Sequence, residues 1–363
     1  MQNLDFKVIK TDQKARAGEF TINNKRVETP TFMPVATRGA IKGLPMESLQ
    51  YLEPDVVLCN TYHLLLRPGQ QTIKNLGGIH KYINWSKVLL TDSGGFQGWS
   101  LNAKQVDEGL IFKSIYDGSN FLLTPKQSLE AQSDFGSDIA MVLDVLIDPS
   151  TNENVMNKSL EKTLEWAEMS INFHSNSQQA LFGIIQGGVS KRHRELSIEK
   201  MMQLPFDGYA IGGLSVGETK EDRDRIVNLC TNELSEIKPR YVMGLGDISG
   251  MLDLIELGVD MFDCVWPTRL ARHGKIINKL EFINLKNSCY SEDPLPLSEE
   301  CLCTTCMNFT RSYLRHLLMN EEVSAWPYLI IHNLYQTKNI LAKAREAILL
   351  GSFKEYKESL NKI

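Results

Sequence analysis

Short apolar runs, each ending in a polar residue or a glycine, recur along the chain. Eight of them lie at residues 29–35, 55–60, 87–92, 138–144, 180–187, 208–213, 240–246 and 260–266. Most of the stretches between them carry apolar residues at intervals of three and four with charges between, which is typical of amphipathic helices. Buried strands that alternate in this way with helices predict an α/β fold, a (β/α)8 TIM barrel.

The spacing of the eight runs is uneven, so we expect an irregular barrel with insertions. The segment 98–137 is long and predicts an inserted hairpin, and the chain continues well past the eighth run. We therefore predict a catalytic barrel core over residues 1–275, a zinc-binding subdomain over 276–340, and a C-terminal helix over 341–363 that packs on the barrel.

Polar residues stand where most of the predicted strands end, which is the side of such barrels that carries catalysis. Three carboxylates, two amides and several glycines would face one pocket, which suits a flat or polar ligand met by hydrogen bonds and backbone groups. No histidine stands at these ends, which argues against a barrel-bound metal. The residues are Asn60, Asp92, Asp144, Gln186, Gly212, Gly213, Gly244, Gly246 and Asp263.

Two of these carboxylates are the strongest candidates for chemistry. An aspartate at a strand end often caps the following helix. Asp263, however, lies inside the apolar run MFDCVWP, where an unpaired charge is costly, and Asp92 precedes the pair Gly94 and Gly95, which suits close approach of a ligand. Two such groups can divide the displacement at an anomeric carbon, one as nucleophile and the other as proton shuttle.

A cluster of cysteines predicts a metal site. Cys301, Cys303 and Cys306 lie in CLCTTC, and His332 follows after 25 residues. Three thiolates and one imidazole complete a tetrahedral zinc shell with no open position, so we predict one structural Zn²⁺ ion. His316 is the competing fourth ligand. The odd total of seven cysteines argues against a disulfide framework.

Composition and charge narrow the setting. The chain has 363 residues, of which 42% are hydrophobic, and a formal net charge of −5. It contains no apolar run long enough to span a membrane and no signal-peptide pattern, so we expect a cytoplasmic protein. A polyanionic partner would need a local basic patch. One candidate patch comprises Arg269, Arg272, Lys275, Lys279 and Lys286, with Arg311 and Arg315 farther on.

The chain resembles the bacterial type of tRNA-guanine transglycosylase over essentially its whole length. The resemblance is carried by TPTFMPVATRGAIKG, NTYHLLLRPG, TDSGGFQ, LFGIIQGG, GYAIGGLSVGE, YVMGLG, MFDCVWPTRLARHG and the CLCTTC motif with its histidine. It implies an irregular barrel with a zinc subdomain, usually a homodimer, and no organic cofactor. It also implies exchange of guanine 34 in tRNAs with a GUN anticodon (Asp, Asn, His, Tyr) for a 7-deazaguanine base in queuosine biosynthesis or salvage.

The resemblance also implies roles for individual residues. Asp263 would be the nucleophile that forms a covalent enzyme–RNA intermediate, and Asp92 the general acid and base. The base would be held by Asp92, Ser93, Phe96, Asp144, Gln186, Gly213, Leu214 and Met243. The tRNA would be contacted by Gly244, Leu245, Gly246, Asp247, Ile248, Ser249, Gly250, Thr268, Arg269, Leu270, Ala271 and Arg272.

Some questions stay open at this stage. Bacterial relatives usually carry Glu and Cys where this chain has Val145 and Leu146, beside the expected purine pocket, so either preQ1 (the 7-aminomethyl precursor) or queuine could be the base used. Cys264 has no assigned role. Alternative functions are a non-catalytic, zinc-containing RNA-binding subunit, an archaeal-type transglycosylase, and an unrelated barrel hydrolase or aldolase. Retention of both Asp92 and Asp263 argues against a non-catalytic subunit.

Overall fold

The computed structural model describes residues 4–148, 151–214 and 216–361. The chain begins with a three-stranded antiparallel sheet that sequence reasoning did not predict. Its strands are β1 (Asp5–Asp12), β2 (Ala15–Ile22) and β3 (Lys25–Thr29). This sheet is tied to the start of two barrel strands by ion pairs, Arg16 with Asp260 at 2.6 Å and Lys25 with Asp138 at 2.9 Å.

Eight parallel strands follow, with helices between them. In chain order the elements are β4 (Thr31–Pro34), α1 (Ser48–Leu52), β5 (Val56–Cys59), α2 (Thr61–Leu66), α3 (Gln70–Asn75), α4 (Ile79–Tyr82), β6 (Val88–Thr91), α5 (Gly95–Ser100), β7 (Lys104–Gln105), β8 (Leu110–Lys113), β9 (Asn120–Leu123), α6 (Pro125–Phe135), β10 (Ile139–Met141), α7 (Glu153–Phe173), β11 (Ala180–Ile185), α8 (Lys191–Met202), β12 (Gly208–Ile211), α9 (Lys220–Glu233), β13 (Arg240–Val242), α10 (Ile248–Glu256), β14 (Met261–Cys264) and α11 (Trp266–Arg272).

The parallel strands form a barrel in chain order, β4, β5, β6, β10, β11, β12, β13 and β14, with β14 paired to β4. A bridge between Val35 and Leu58 joins β4 to β5 and nearly closes the circle. The prediction of an irregular (β/α)8 barrel is confirmed. Most barrel strands are wholly buried, because helices cover their outer face and side chains fill the interior.

The observed strands are shorter than the apolar runs that predict them. The polar residue that closes most runs lies just beyond the last paired residue, as Asn60 does after β5 and Asp92 after β6. These side chains therefore project from loops at one rim of the barrel. Asp263 differs, because it lies within β14 and pairs with Met33 of β4.

The segment 98–137 contains more than the inserted hairpin that we expected. Strands β7, β8 and β9 form a three-stranded antiparallel sheet, and α6 then leads into β10 as an ordinary barrel helix. Thr124 caps α6 in a capping box with Gln127, which sets the end of the insertion.

The C-terminal part begins with the hairpin β15 (Lys275–Asn278) and β16 (Glu281–Asn284) and a 3-10 turn at Ser288–Tyr290. It continues with α12 (Thr304–Asn308), α13 (Arg311–Met319), α14 (Ala325–Leu350) and α15 (Phe353–Asn361). The boundary that we placed between residues 340 and 341 falls inside α14. Among the described residues, no helix is both long enough and apolar enough to cross a membrane.

Candidate active site

A cavity of about 270 Å³ opens at the C-terminal ends of the barrel strands. The eight residues that we expected to hold a base all line this cavity, and so does Asp263. The structure brings these nine residues together from six segments of the chain. They are Asp92, Ser93, Phe96, Asp144, Gln186, Gly213, Leu214, Met243 and Asp263. Asn60, Leu146, Val216, Tyr241 and Cys264 also line the cavity.

Asp92 lies at the end of β6 and is held by the start of α2. The backbone N–H of Thr61 donates to Asp92 Oδ1 at 2.9 Å, and the side-chain amide of Asn60 donates to Oδ2. Burial of the carboxyl group is the main cause that raises its pKa, to about 7. The negative charge of Asp263 also raises this pKa, whereas the hydrogen bond from Thr61 lowers it. A carboxyl group with this pKa can both release and accept a proton near neutrality.

Asp263 sits across the cavity on β14. The hydroxyl of Tyr241 and the backbone N–H of Gly244, the latter at 2.9 Å, both donate to Asp263 Oδ1. Burial raises the pKa of this carboxyl group, and the two hydrogen bonds lower it. Both donors act on one oxygen, and no described residue donates a hydrogen bond to Oδ2, which leaves that oxygen available to a substrate.

Asp144 and Gln186 form a polar pair deeper in the cavity. Gln186 Nε2 donates to Asp144 Oδ2 at 2.6 Å, and both residues are buried. Burial raises the pKa of Asp144 to about 6. Gln186 Oε1 has no hydrogen-bond partner among the described residues although it is buried. This acceptor is available to a donor on a bound ligand.

Two glycines allow this polar pair to come close to the strand-end loops. A Cβ atom at Gly95 would lie 2.2 Å from Asp144 Oδ1. A Cβ atom at Gly213, whose φ is +66°, would lie 2.4 Å from Gln186 Oε1. The second glycine after Asp92 therefore makes room for Asp144, and Gly94, with φ of +89°, supplies the turn.

Apolar side chains form part of the cavity lining. Phe96 is 52% exposed, which leaves its ring free to contact a ligand, and Met243 is partly exposed. Leu146 also lines the cavity. Val145 does not line it, because its side chain packs in a separate core cluster with Tyr62, Phe112 and Trp166. Of the two positions that depart from the bacterial pattern, Leu146 is thus the one that lines the cavity.

Sequence reasoning missed Tyr241 and gave Asn60 no function beyond the strand end. Tyr241 is the second residue of β13, fully buried, and its hydroxyl is aimed at Asp263. The only signal in the sequence was that an aromatic residue with a hydroxyl group stands in the apolar run RYVMGLG. Asn60 is the last residue of the second run, DVVLCN. It caps α2, since its Oδ1 accepts from His63 N at 3.0 Å, while its side-chain amide donates to Asp92.

Cys264, next to Asp263, packs against the loop after β13. A Cβ atom at Gly246 would lie 2.4 Å from Cys264 Cβ, and the N–H of Trp266 donates to its Sγ at 3.4 Å. Burial raises the pKa of the thiol to about 12, so it is protonated at neutral pH. The side chain therefore fills space beside the cavity and is a poor nucleophile.

The residues expected to contact tRNA lie in two segments beside this cavity. Asp247 caps α10 by accepting from Gly250 N at 2.6 Å. The buried members are Leu245, Gly246, Ile248, Gly250, Thr268 and Ala271. The members that reach the surface at least in part are Gly244, Asp247, Ser249, Arg269, Leu270 and Arg272.

Two arginines of this set are placed to attract an anion. Arg269 and Arg272 lie in the last turn of α11, Arg269 exposed and Arg272 partly exposed. Neither pairs with a carboxylate within 4.0 Å in the described part of the chain, whereas Arg311 is engaged with Asp293 at 3.0 Å. The last turn of α11 therefore presents two positive charges that no carboxylate of the described residues pairs with.

Cys301, Cys303, Cys306 and His332 come together as a buried group that could hold a metal ion. His332 Nδ1 lies 3.5, 3.7 and 3.2 Å from the sulfurs of Cys301, Cys303 and Cys306. A tetrahedral zinc shell requires about 3.6 Å between a sulfur and a nitrogen ligand. His332 Nε2 is 2.9 Å from the carbonyl oxygen of Ile277, which orients the ring.

The competing ligand His316 lies outside this group. It is on α13, and its Nδ1 is 3.2 Å from the side-chain amide of Asn320. The four ligands of the group join α12 and the preceding loop to α14 and, through Ile277, to β15. A metal ion there would stabilise the fold and take no part in the cavity.

The fold and the paired carboxylates define a (β/α)8-barrel enzyme, and its similarity to known proteins defines the family. The sequence profile described as "Queuine tRNA-ribosyltransferase" matches residues 11–362. A queuine tRNA-ribosyltransferase of Fusobacterium nucleatum is 43% identical over 97% of this chain and 96% of the relative. One of Francisella tularensis subsp. novicida is 42% identical over 99% of this chain and 98% of the relative. The chain belongs to the queuine tRNA-ribosyltransferase family and is a pentosyltransferase.

Proposed function

We propose that this enzyme exchanges guanine 34 of GUN-anticodon tRNAs for a 7-deazaguanine base by double displacement. Membership of the family supports transfer of a base to tRNA. The observation that carries the mechanism is the pair of carboxylates, Asp92 and Asp263, which face one cavity in different hydrogen-bond environments.

In the first displacement, Asp263 Oδ2 attacks C1′ of the ribose of nucleotide 34. The bond between C1′ and the guanine nitrogen breaks, and its electron pair leaves with guanine, which takes a proton from Asp92. A covalent ester joins the RNA to Asp263. The hydrogen bonds from Tyr241 and Gly244 to Oδ1 support this role, because they favour the ionised carboxylate and fix its orientation.

In the second displacement, Asp92 acts as a base. The incoming 7-deazaguanine loses a proton to the Asp92 carboxylate, its ring nitrogen attacks C1′, and the ester bond to Asp263 breaks. Asp92 is then protonated and the Asp263 carboxylate is restored. A pKa of about 7 suits a group that must be protonated in one step and ionised in the next.

Recognition of the base is assigned to the polar pair and to the two apolar side chains. Asp144 and Gln186 Oε1 would accept hydrogen bonds from the purine N–H groups, which gives Gln186 Oε1 the donor that it otherwise lacks. Phe96 and Met243 would sandwich the ring, Ser93 would contact its edge, and Gly213 with Leu214 would offer backbone groups. Extrusion of nucleotide 34 into a cavity agrees with how base-modifying enzymes reach their target.

The identity of the incoming base depends on Leu146 and Val216, which line the cavity where a 7-substituent would project. We infer that either preQ1 or queuine is accepted, because the lining at these positions is apolar and no described residue there carries a charge dedicated to the preQ1 amine. Binding of tRNA is assigned to the surface members of the two segments, above all Arg269 and Arg272.

We assign the Cys3His group to one structural Zn²⁺ ion, with no organic cofactor in the reaction. Three thiolates and an imidazole are the donor set that zinc prefers in closed structural sites. We further expect a homodimer. Exposed apolar side chains between residues 302 and 323 support a protein interface, namely Leu302, Met307, Tyr313, Met319 and Val323.

The test is release of labelled guanine from a GUN-anticodon tRNA, with preQ1 and queuine offered in parallel. The wild type should release guanine and incorporate one or both bases, and Asp263→Ala should release none. Failure of the wild type to exchange either base would overturn the proposal. If Asp263→Ala still exchanged guanine, the proposed mechanism would be overturned, but the proposed activity would stand.

A further inference from the structure

A second cluster of positive charge, distinct from the arginines of α11, lies on the loop after β4, at the end of α2 and in the turn after β8. It consists of Arg38, Arg67 and Tyr116, which we name the rim cluster. The guanidinium carbon of Arg67 lies 3.7 Å from the centre of the Tyr116 ring, and that of Arg38 lies 5.9 Å from it. These distances are within the range of cation–π attraction.

The three residues come from loops that also shape the cavity. Arg38 directly follows Thr37, which lines the cavity after β4. Arg67 ends α2, the helix that begins beside Asn60 and Asp92. Six helical residues span about 9 Å, so Arg67 stands roughly that far from the proposed acid and base. Tyr116 lies in the turn between β8 and β9 of the inserted sheet.

The charge of the rim cluster is uncompensated. Arg38 and Arg67 are both exposed, and within the described ranges neither forms an ion pair with a carboxylate at 4.0 Å or less. The acid nearest in sequence, Asp117, is held within its own turn, where its Oδ1 accepts from Ser119 Oγ at 2.8 Å. Several other exposed arginines are paired with a carboxylate, as Arg192 is with Glu153 at 2.9 Å.

We propose that the rim cluster is a second tRNA-binding surface, which binds phosphates of the anticodon loop in addition to the α11 contacts. The inference rests on the proposed function and extends it to residues that neither the motifs nor the family resemblance assigned. Its ligand is a single-stranded RNA backbone, and its position beside the cavity would hold the loop while nucleotide 34 is extruded.

The geometry favours RNA over a protein partner for two reasons. Stacking on Tyr116 fixes the plane of the Arg67 guanidinium, so its remaining N–H groups are preorganised for a phosphate. The outer face of that guanidinium is also a platform on which an unstacked base can lie, which is a common feature of single-stranded RNA recognition. A tRNA whose base occupies the cavity must pass its neighbouring nucleotides over this rim.

The test is the salt dependence of tRNA binding by the full-length enzyme. Fluorescence anisotropy with a labelled GUN anticodon stem-loop is measured between 50 and 300 mM KCl for the wild type and for Arg38→Ala/Arg67→Ala. Removal of two single-strand phosphate contacts should reduce the slope of log K against log salt by about 1.4 and weaken binding at least about 5-fold. The matched control is Arg192→Ala, which removes an exposed arginine on α8. It should leave both the salt slope and the affinity for tRNA unchanged.

Three further readouts separate this role from a general effect. In steady-state exchange, the double variant should raise KM for tRNA and leave KM for the incoming base and kcat close to wild type. Tyr116→Phe keeps the ring and should bind as the wild type does, whereas Tyr116→Ala should lose part of the affinity. Arg67→Lys keeps the charge and should retain the salt slope but not the full affinity.

The outcomes distinguish the two proposals. If the wild type exchanges guanine and the double variant binds tRNA with the same affinity and slope, the rim cluster is not a tRNA contact and the proposed function stands. Sedimentation could instead show that the double variant has a different oligomeric state while its tRNA binding is unchanged. That result would assign the surface to a protein contact and overturn the inference. A wild type that neither binds nor modifies tRNA would overturn both proposals.

Discussion

Replacing Asn60 by serine should change the pH dependence of base exchange in a way that the structure specifies. Asn60 does two things: its Oδ1 caps α2 through His63 N, and its amide donates to Asp92 Oδ2. Serine is also a good helix cap, but its side chain is too short to reach Asp92. The substitution Asn60→Ser therefore removes the hydrogen bond to Asp92 and keeps α2 in place.

The magnitude follows from the lost hydrogen bond. A hydrogen bond to an ionised group contributes about 1.5–3 kcal/mol, and 1.36 kcal/mol corresponds to about one pKa unit. The bond stabilises the charged form, so its loss raises the pKa of Asp92 from about 7 to roughly 8–9. At pH 7 the ionised fraction would fall from about one half to between about one tenth and one hundredth.

The two half-reactions should respond in opposite ways. Release of guanine needs protonated Asp92, so its alkaline limb should move up by about one to two pH units. Incorporation of the new base needs ionised Asp92, so at pH 7 it should slow by about 5- to 50-fold and recover as the pH rises toward 9. Single-turnover guanine release and incorporation of labelled base, each measured from pH 5.5 to 9.5, provide the assay.

The control is Asn152→Ser, at a cap that touches no candidate catalytic group. Asn152 caps α7 by accepting from Val155 N at 3.1 Å, and its replacement should leave both pH profiles unchanged. If Asn60→Ser gave the same two profiles as the wild type, Asp92 would not be the group whose protonation controls these steps.

Three further results are expected. Asp92→Asn should raise the melting temperature at pH 8.5, and by a smaller amount at pH 5.5, as measured by calorimetry. The carboxyl pKa is raised from 3.8 to about 7 on folding, so the cost of ionisation to stability builds up between these two pH values and is constant above about pH 7. Equal melting temperatures of variant and wild type at pH 8.5 would argue against a raised pKa. Leu146→Ala should increase kcat/KM for the base with the larger 7-substituent relative to guanine, because Leu146 lines the cavity. The control is Val145→Ala, which changes a core contact outside the cavity; it should reduce stability and leave the base preference unchanged. Cys306→Ser should lose the bound metal by elemental analysis and unfold at lower temperature, since the thiolates join α12 to α14; full zinc content in that variant would contradict the assigned ligand set.

The barrel could be predicted because each strand carries its own signal. Runs such as DVVLCN and KVLLTD are short, have an apolar centre and end in a polar residue, which is what burial on both faces and a rim loop require. The N-terminal sheet was missed because its strands mix charged and apolar residues and depend on tertiary partners. Arg16, for example, is buried only because Asp260 neutralises it.

The site was predictable at the level of strand ends but not of hydrogen bonds. Asp92, Asp144 and Gln186 were found from their positions after apolar runs. The pairing of Tyr241 with Asp263 joins two strands, and the sequence of neither strand reveals it. Likewise, the different surroundings of Val145 and Leu146 depend on which side of the loop after β10 faces the cavity, which their adjacency in sequence could not show.

The rim cluster lay beyond sequence reasoning for the same reason. Arg38, Arg67 and Tyr116 are separated by 29 and 49 positions, and no periodicity connects them. Only the folded structure brings the ring of Tyr116, in the inserted sheet, within reach of both guanidinium groups.

The central claim is that Asp263 forms a covalent bond to the ribose of nucleotide 34, and trapping that bond is its most direct test. The wild type is incubated with a GUN anticodon stem-loop without an incoming base, denatured, and separated by gel, and the cross-linked peptide is mapped by mass spectrometry. We predict a covalent complex attached at Asp263 that guanine or a 7-deazaguanine base reverses and that Asp263→Asn cannot form. A complex attached at another residue, or one that persists in Asp263→Asn, would contradict the account.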